Sequence, residues 1–432
     1  MLKDEIIKLK IESLGTNGEG VARYDGYVVF VPFALLGETI NAKITEVKKN
    51  FARANITKII EASKERQNPP CPYYGKCGGC DLQHLCYEKQ LEFKQSLVKN
   101  NLKKIAKIDA EVACCVPSES EYYYRNKVSF PISNNGVGMF EENSSNIVPI
   151  KNCCIAGEWV KTLIDIFNQW FDKSSLQAYD RKTGTGVLRH LVARQENDSL
   201  LVCLVATKNV QNIGGFERLI AANFKKFGLF VNLNTPKTAK IFSDKFIHIA
   251  GIKQIEQQSF GLNYPVSIGS FEQVNSYIAE KIYKDVCSEI SGKVVVNAYS
   301  GAGLLSGVLA RSAKKVIAIE IDRNAHKNAE ELKVANNIGN LINICGDCAL
   351  ELPKSGEFDA IVLDPPRAGC DKKVIETICE VKPKKIVYIS CDSATLARDL
   401  SYLSNYKIKS VTPYDMFPQT KHVETVCVLE KE

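Results

Sequence analysis

From about residue 266 onward, short apolar runs alternate with helix-patterned stretches, and no other feature of the chain constrains its fold as much. A helix is expected over 274–286 and a strand over 293–298, then a glycine turn and a helix over 304–311. A strand over 316–321, a helix over 325–336, strands over 341–345 and 358–363, a helix near 372–380 and a strand over 385–390 complete the series. Such alternation predicts a doubly wound, Rossmann-like α/β sheet, in which ligands sit at the carboxyl ends of the strands.

The rest of the chain reads differently. Residues 1 to about 60 form closely spaced alternating segments parted by turns such as Gly15-Thr16-Asn17-Gly18, the pattern of a small β-barrel, an architecture that often binds nucleic acid. A break at Asn68-Pro69-Pro70 leads into a mixed α+β middle. The expected division is a barrel at 1–62, a central domain at 63–265 and the α/β domain at 266–432. The 432 residues, 45% hydrophobic and 24% charged, are enough for two or three soluble domains.

The longest apolar run, residues 27–36, contains Pro32 and is well short of the ~20 residues that span a bilayer. The first residues, Met1-Leu2-Lys3-Asp4-Glu5, hold no apolar signal core, so a cytoplasmic chain is expected, without membrane partners and acting as a monomer. In that compartment 16 cysteines point to metal ligation or catalysis rather than disulfides. The net charge of +7 permits an anionic partner, and residues 48–66 carry six basic residues against two acidic ones.

Four strand ends in the α/β region carry chemistry. After the first strand, Tyr299-Ser300-Gly301-Ala302-Gly303 lets the backbone approach a ligand, and the second strand ends at Glu320, 17 residues after Gly303, where a ribose-binding carboxylate belongs. The third ends at Asp347, a contact for an adenine. The fourth ends in Asp364-Pro365-Pro366-Arg367, which favours S-adenosylmethionine over a dinucleotide; methyltransferases of exocyclic amines place an aromatic residue where Arg367 stands. Beyond the last strand lies Cys391. Methyl transfer to an amine, hydroxyl or phosphate needs no protein nucleophile, whereas transfer to a ring carbon of uracil does.

Three segments carry a resemblance: Asp364-Pro365-Pro366-Arg367-Ala368-Gly369, residues 390–399 around Cys391, and residues 415–425, which contain Met416-Phe417-Pro418-Gln419 and Glu424. Together they resemble the RNA (uracil-5-)methyltransferases, specifically the 23S ribosomal RNA branch that carries an iron–sulfur cluster, and the N-terminal region resembles that family's TRAM domain. The resemblance implies that Cys391 is the nucleophile and Glu424 the base that removes the C5 proton. It also implies that Gln273, Tyr299, Glu320 and Asp364 bind S-adenosylmethionine. The family more often has Asn-Pro after the cysteine, where this chain has Asp392-Ser393.

The cysteines of Cys71-Pro72-Tyr73-Tyr74-Gly75-Lys76-Cys77-Gly78-Gly79-Cys80 suit a metal centre that needs a fourth thiolate. Cys86 would close a local zinc site, whereas the resemblance supplies Cys153 from a distance and implies a [4Fe-4S] cluster on Cys71, Cys77, Cys80 and Cys153. The RNA partner is expected to be 23S ribosomal RNA, with transfer RNA as the alternative. Residues 48–66 and Tyr122-Tyr123-Tyr124-Arg125-Asn126-Lys127 are candidates for holding it. An NAD-dependent iron–sulfur oxidoreductase leaves Asp364 to Arg367, Cys391 and Glu424 unexplained, and a non-enzymatic RNA-binding factor leaves the thiol and carboxylate unexplained.

Overall fold

The computed structural model describes residues 1–234, 240–270 and 272–432. A six-stranded sheet spans residues 6–61, and its two edges, Ile6–Lys10 and Ser13–Leu14, are successive parts of one chain segment. The first part pairs with Thr39–Val47 and the second with Gly20–Tyr24, so alternate residues such as Ile7, Leu9 and Ile11 turn into a single core. The middle holds a seven-stranded sheet whose all-buried strand Ser199–Ala206 is flanked by Leu188–Glu196 and Lys226–Leu233. Helices Trp159–Lys173 and Gly214–Asn223 cover its apolar face.

The C-terminal sheet has seven strands in the spatial order Leu341–Cys345, Ala313–Glu320, Gly292–Ala298, Ala360–Leu363, Lys385–Ser390, Glu424–Lys431 and Tyr406–Tyr414. Its first five strands are parallel. They read as continuous apolar runs because helices cover both faces. Val296, Ile361, Ile386 and Tyr388 face the core under helices Lys372–Val381 and Ser393–Leu400. Val295, Val362, Val387 and Ile389 face helix Ser276–Glu289, which meets them with Ile278, Ile282 and Val286 at i, i+4 and i+8.

Two features depart from the sequence reading. The stretch after residue 400, for which the sequence reading places no strand, is an antiparallel hairpin: Glu424–Lys431 inserts beside Lys385–Ser390, with Tyr406–Tyr414 outside it. Helix Tyr87–Asn101, the turn Leu102–Ala106 that continues it and residues 112–116, from the middle of the chain, pack on the C-terminal sheet through Val98, Leu102, Val112 and Cys115, so packing crosses the sequence boundary at 265/266.

This crossing holds the loop ahead of Glu424. The side chains of Lys94 and Asp415 are both fully buried, with Nζ 2.5 Å from Oδ1, and Lys94 also donates to the Phe417 carbonyl at 3.0 Å. Removing one partner strands a charge away from water, so Lys94→Ala should cost the C-terminal sheet roughly 3–5 kcal/mol, read as lost amide-exchange protection in strand Glu424–Lys431. Replacing both partners with apolar residues, Lys94→Met with Asp415→Leu, should regain most of it. A loss below about 1 kcal/mol in the single variant would show that the pair is not desolvated.

Candidate active site and thiol cavity

The crevice lies where the sheet order reverses, between Gly292–Ala298 and Ala360–Leu363, at the carboxyl ends of the parallel strands. A cavity of about 950 Å³ opens there. Gln273, Tyr299, Gly301, Gly303, Glu320, Asp347, Asp364, Cys391 and Glu424 all line it.

The glycine turn is built by sterics. Tyr299 (φ 61°), Gly301 (φ 56°) and Gly303 (φ 88°) occupy the left-handed region, which a tyrosine adopts only under constraint from its surroundings. A Cβ on Gly303 would lie 2.7 Å from Cβ of Ala329, so this glycine permits helix Arg323–Ala335 to pack close; at Gly301 a Cβ would meet only open space. Glu320 fixes the turn, with Oε2 accepting the Gly301 N–H at 2.8 Å and Oε1 the Asp322 N–H at 2.7 Å. Asp347 caps the next helix by accepting the Ala349 N–H at 2.8 Å.

Register brings Cys391 and Glu424 to the same place. Ser390 pairs with Thr425 across antiparallel strands, and the next position outward on each strand, Cys391 and Glu424, lines the cavity beyond that pair. Glu424 is buried, and its carboxyl is pushed well above the usual range by burial, then by Asp364, with Arg367 opposing. Burial, with Glu320 adding to it, raises Asp364 to about 7. The Cys391 thiol is pushed up to about 11 by burial first and the Glu424 charge second, again against Arg367.

Asp392 now has a clear role. Its Oδ1 accepts the N–H groups of Ala394 at 2.9 Å and Thr395 at 3.0 Å, capping helix Ser393–Leu400 as an asparagine would and fixing the turn that carries Cys391. Ser393 accepts a hydrogen bond from the Asn101 side chain at 2.8 Å.

The cavity has a second wall that sequence reasoning missed, including Glu196, Tyr264, Glu272, Tyr283 and Phe417. Burial raises Glu272 to about 7 against the pull of Arg194, 3.5 Å away. Only its position beside Gln273 could have marked it.

Cys71, Cys77, Cys80 and Cys153 line a second cavity of about 210 Å³, with Cys154 beside them. Burial raises Cys77 to about 11 and also raises Cys80 and Cys153, and the neighbouring thiols add to all three shifts. A Cβ on Gly79 would come 3.3 Å from Sγ of Cys77, so the glycine pair is what lets the loop wrap this closely. Among the described residues no three His, Cys, Asp or Glu side chains converge on a point that would hold one metal ion. Cys86 does not line the cavity; its thiol donates to Glu65 at 3.0 Å, which removes it from a local zinc site.

The segments expected to hold RNA are partly committed elsewhere. Lys127 donates to the Ser270 carbonyl at 3.0 Å and Asn126 to the Val274 carbonyl at 3.0 Å, bracing the segments on either side of Gln273, while Tyr124 donates to the Pro418 carbonyl at 3.1 Å in the loop before Glu424. Arg66 is bound to Glu38 and the Phe33 carbonyl at 2.6–2.8 Å, while Lys48 and Arg53 stay exposed beside Glu46. Among the described residues no helix is long and apolar enough to cross a membrane.

Comparison with known proteins agrees with this geometry. The tRNA (Uracil-5-)-methyltransferase family matches residues 86–355 and 347–432, and the TRAM domain matches residues 4–57. The chain is 38% identical to an uncharacterized RNA methyltransferase of Caldanaerobacter subterraneus, covering 99% of this chain and 98% of that one. It is 36% identical to one of Clostridium acetobutylicum at the same coverage. The crystal structure of Pyrococcus abyssi tRNA (uracil-54, C5)-methyltransferase in complex with S-adenosyl-L-homocysteine is 27% identical, with a TM-score of 0.79 over 98% of this chain and 100% of that one. The chain therefore belongs to the tRNA (uracil-5-)-methyltransferase family of S-adenosylmethionine-dependent RNA methyltransferases.

Proposed function

We propose that this chain methylates C5 of a uridine in 23S ribosomal RNA, acting as a cytoplasmic monomer. The observation that carries the reading is the strand register that sets Cys391 against Glu424 inside the cavity formed by Gln273, Tyr299, Glu320 and Asp364. In this reading residues 1–62 bind RNA as a TRAM-like barrel, 63–265 hold the thiol cavity and 266–432 carry the chemistry.

S-adenosylmethionine, when bound, supplies the methyl group and a cationic sulfonium. Gln273, Tyr299, Glu320, Asp347 and Asp364 hold it, with the backbone at Gly301 and Gly303 allowing close approach. The Cys391 thiolate adds to uracil C6, and the electron pair moves to C5, which takes the methyl group. Glu424 then removes the C5 proton, and the returning electron pair expels the thiolate. A base in a duplex cannot reach Cys391, so a flipped-out or single-stranded uridine is the substrate.

The thiols of Cys71, Cys77, Cys80 and Cys153 line one cavity, and the resemblance favours a [4Fe-4S] cluster on them over zinc. Methyl transfer involves no net electron change, so the cluster's task is structural. The preference for ribosomal RNA rests on this cavity, since the resemblance ties the cluster to the ribosomal branch. Transfer RNA is the second reading, favoured by the activity named for the Pyrococcus relative. Mapping 5-methyluridine in RNA from a strain lacking this chain decides: loss from 23S RNA supports the first, and loss from transfer RNA alone replaces it with the second.

Two variants separate the steps. Cys391→Ala should abolish turnover and any covalent RNA complex, whereas Glu424→Gln should let a methylated adduct accumulate on a denaturing gel. Methylated uridine formed by Cys391→Ala would remove the thiol from the mechanism.

The raised thiol gives a pH test. Thiolate is the reactive form, and a folded-state value near 11 leaves little of it at neutral pH. In the free chain, alkylation of Cys391, followed by peptide mass spectrometry, should accelerate about tenfold per pH unit from 7 to 9. A rate already level across that range would mean that the thiol is ionised before substrate arrives.

A further inference from the structure

The turn that delivers Glu424 is gripped by the cysteine loop. Gln419, five residues before Glu424, is fully buried at φ 70°, a conformation that persists for a non-glycine residue only where neighbours enforce it. Its carbonyl accepts two backbone N–H groups, from Asp81 and Leu82, both at 3.0 Å, and these two residues directly follow Cys80. Its side chain and N–H are met by Gln90 at 3.0 and 3.1 Å. Two residues further on, Asp81 accepts the Lys421 N–H at 3.1 Å and lies 3.3 Å from its ammonium. Asp81 is itself held from behind, its carbonyl accepting the Tyr74 hydroxyl at 2.7 Å.

We propose that Asp81 and Leu82 are positioning residues for proton removal. They tie the thiol loop to the strained Gln419–Lys421 turn, so that a filled thiol cavity sets the place of Glu424. The proposal rests on the cluster and base assignments above. Its physical logic is that Cys80 anchors the loop immediately before the two N–H donors. With the four thiols released from their common partner, that anchor slackens and the donors part from the Gln419 carbonyl. The turn then relaxes toward ordinary backbone angles and carries the start of strand Glu424–Lys431 with it.

The link and its purpose are tested separately. Amide exchange over residues 415–424 is measured by mass spectrometry on the full chain with iron and sulfide bound, on the same chain after their removal, and on Asp81→Ala with iron content checked. Exchange should rise about tenfold in the last two samples, and unchanged exchange in either overturns the link. If Asp81→Ala fails to retain iron, Lys421→Ala removes the ammonium half of the contact from the side away from the thiols, leaving the Lys421 N–H on Asp81, and a smaller rise in exchange over the same residues is then the expected result, with no rise overturning the link.

In the activity arm, Asp81→Ala should lower turnover about tenfold, equal to 1.36 kcal/mol, while single-turnover methyl transfer and KM for RNA change little and methylated adduct accumulates. Equal slowing of both steps would make these residues merely structural and overturn the proposal. Glu424→Gln run alongside keeps the readings apart: if it traps no adduct, the base assignment falls, and the exchange result alone judges the link.

Discussion

The meeting of Cys391 and Glu424 in the crevice depends on one antiparallel pairing. The first five strands of the sheet are parallel and end at the same edge, which suffices to hold a nucleoside-containing donor and brings Asp364 and Arg367 near Cys391, but does not bring Glu424 there. Strand Glu424–Lys431 runs the other way, so it begins where its neighbour Lys385–Ser390 ends. A carboxylate at its first position therefore lands against a thiol just past the neighbour's last. Because the side-chain period of a strand is two, a one-residue slip would turn Glu424 to the opposite face, away from Cys391.

The electrostatics follow from that placement. Glu424, Asp364 and the Cys391 thiol share a desolvated space: burial raises all three, Asp364 adds to the shift of Glu424, and Glu424 and Asp364 add to that of Cys391. Arg367 is the opposing charge. In the mechanism proposed above, the arginine after the two prolines, where enzymes acting on amines carry a stacking aromatic ring, helps the site sustain a thiolate and a carboxylate at close range. A cationic donor entering the same cavity adds to the effect of Arg367.

Much of this was legible in the chain. The parallel strands declared themselves as unbroken apolar runs, and the residues expected at their ends do line one cavity. The final hairpin was not legible as strands: Glu424–Lys431 is buried on both faces and so does not alternate, while Tyr406–Tyr414 is broken by a register shift between Ile408 and Ser410 and by Pro413. Helix Trp159–Lys173 is absent from the sequence reading although Val160, Leu163, Ile164, Phe167 and Trp170 hold helical spacing. The wall of Glu196, Tyr264 and Glu272 depends on contacts between regions distant in sequence, which no local pattern encodes. Asp392 was visible as a departure from the family, and only the cap geometry shows it to be a conservative one.

The central claim is that a thiol attacks C6 and a carboxylate then takes the proton from C5 of uracil. The most direct measurement is release of tritium to water from ribosomal RNA carrying 5-tritiated uridine. The account predicts release that requires S-adenosylmethionine, matches methyl incorporation one for one and disappears in Cys391→Ala. Methyl incorporation with the tritium retained would contradict it, because the methyl group would then have gone to an atom other than C5.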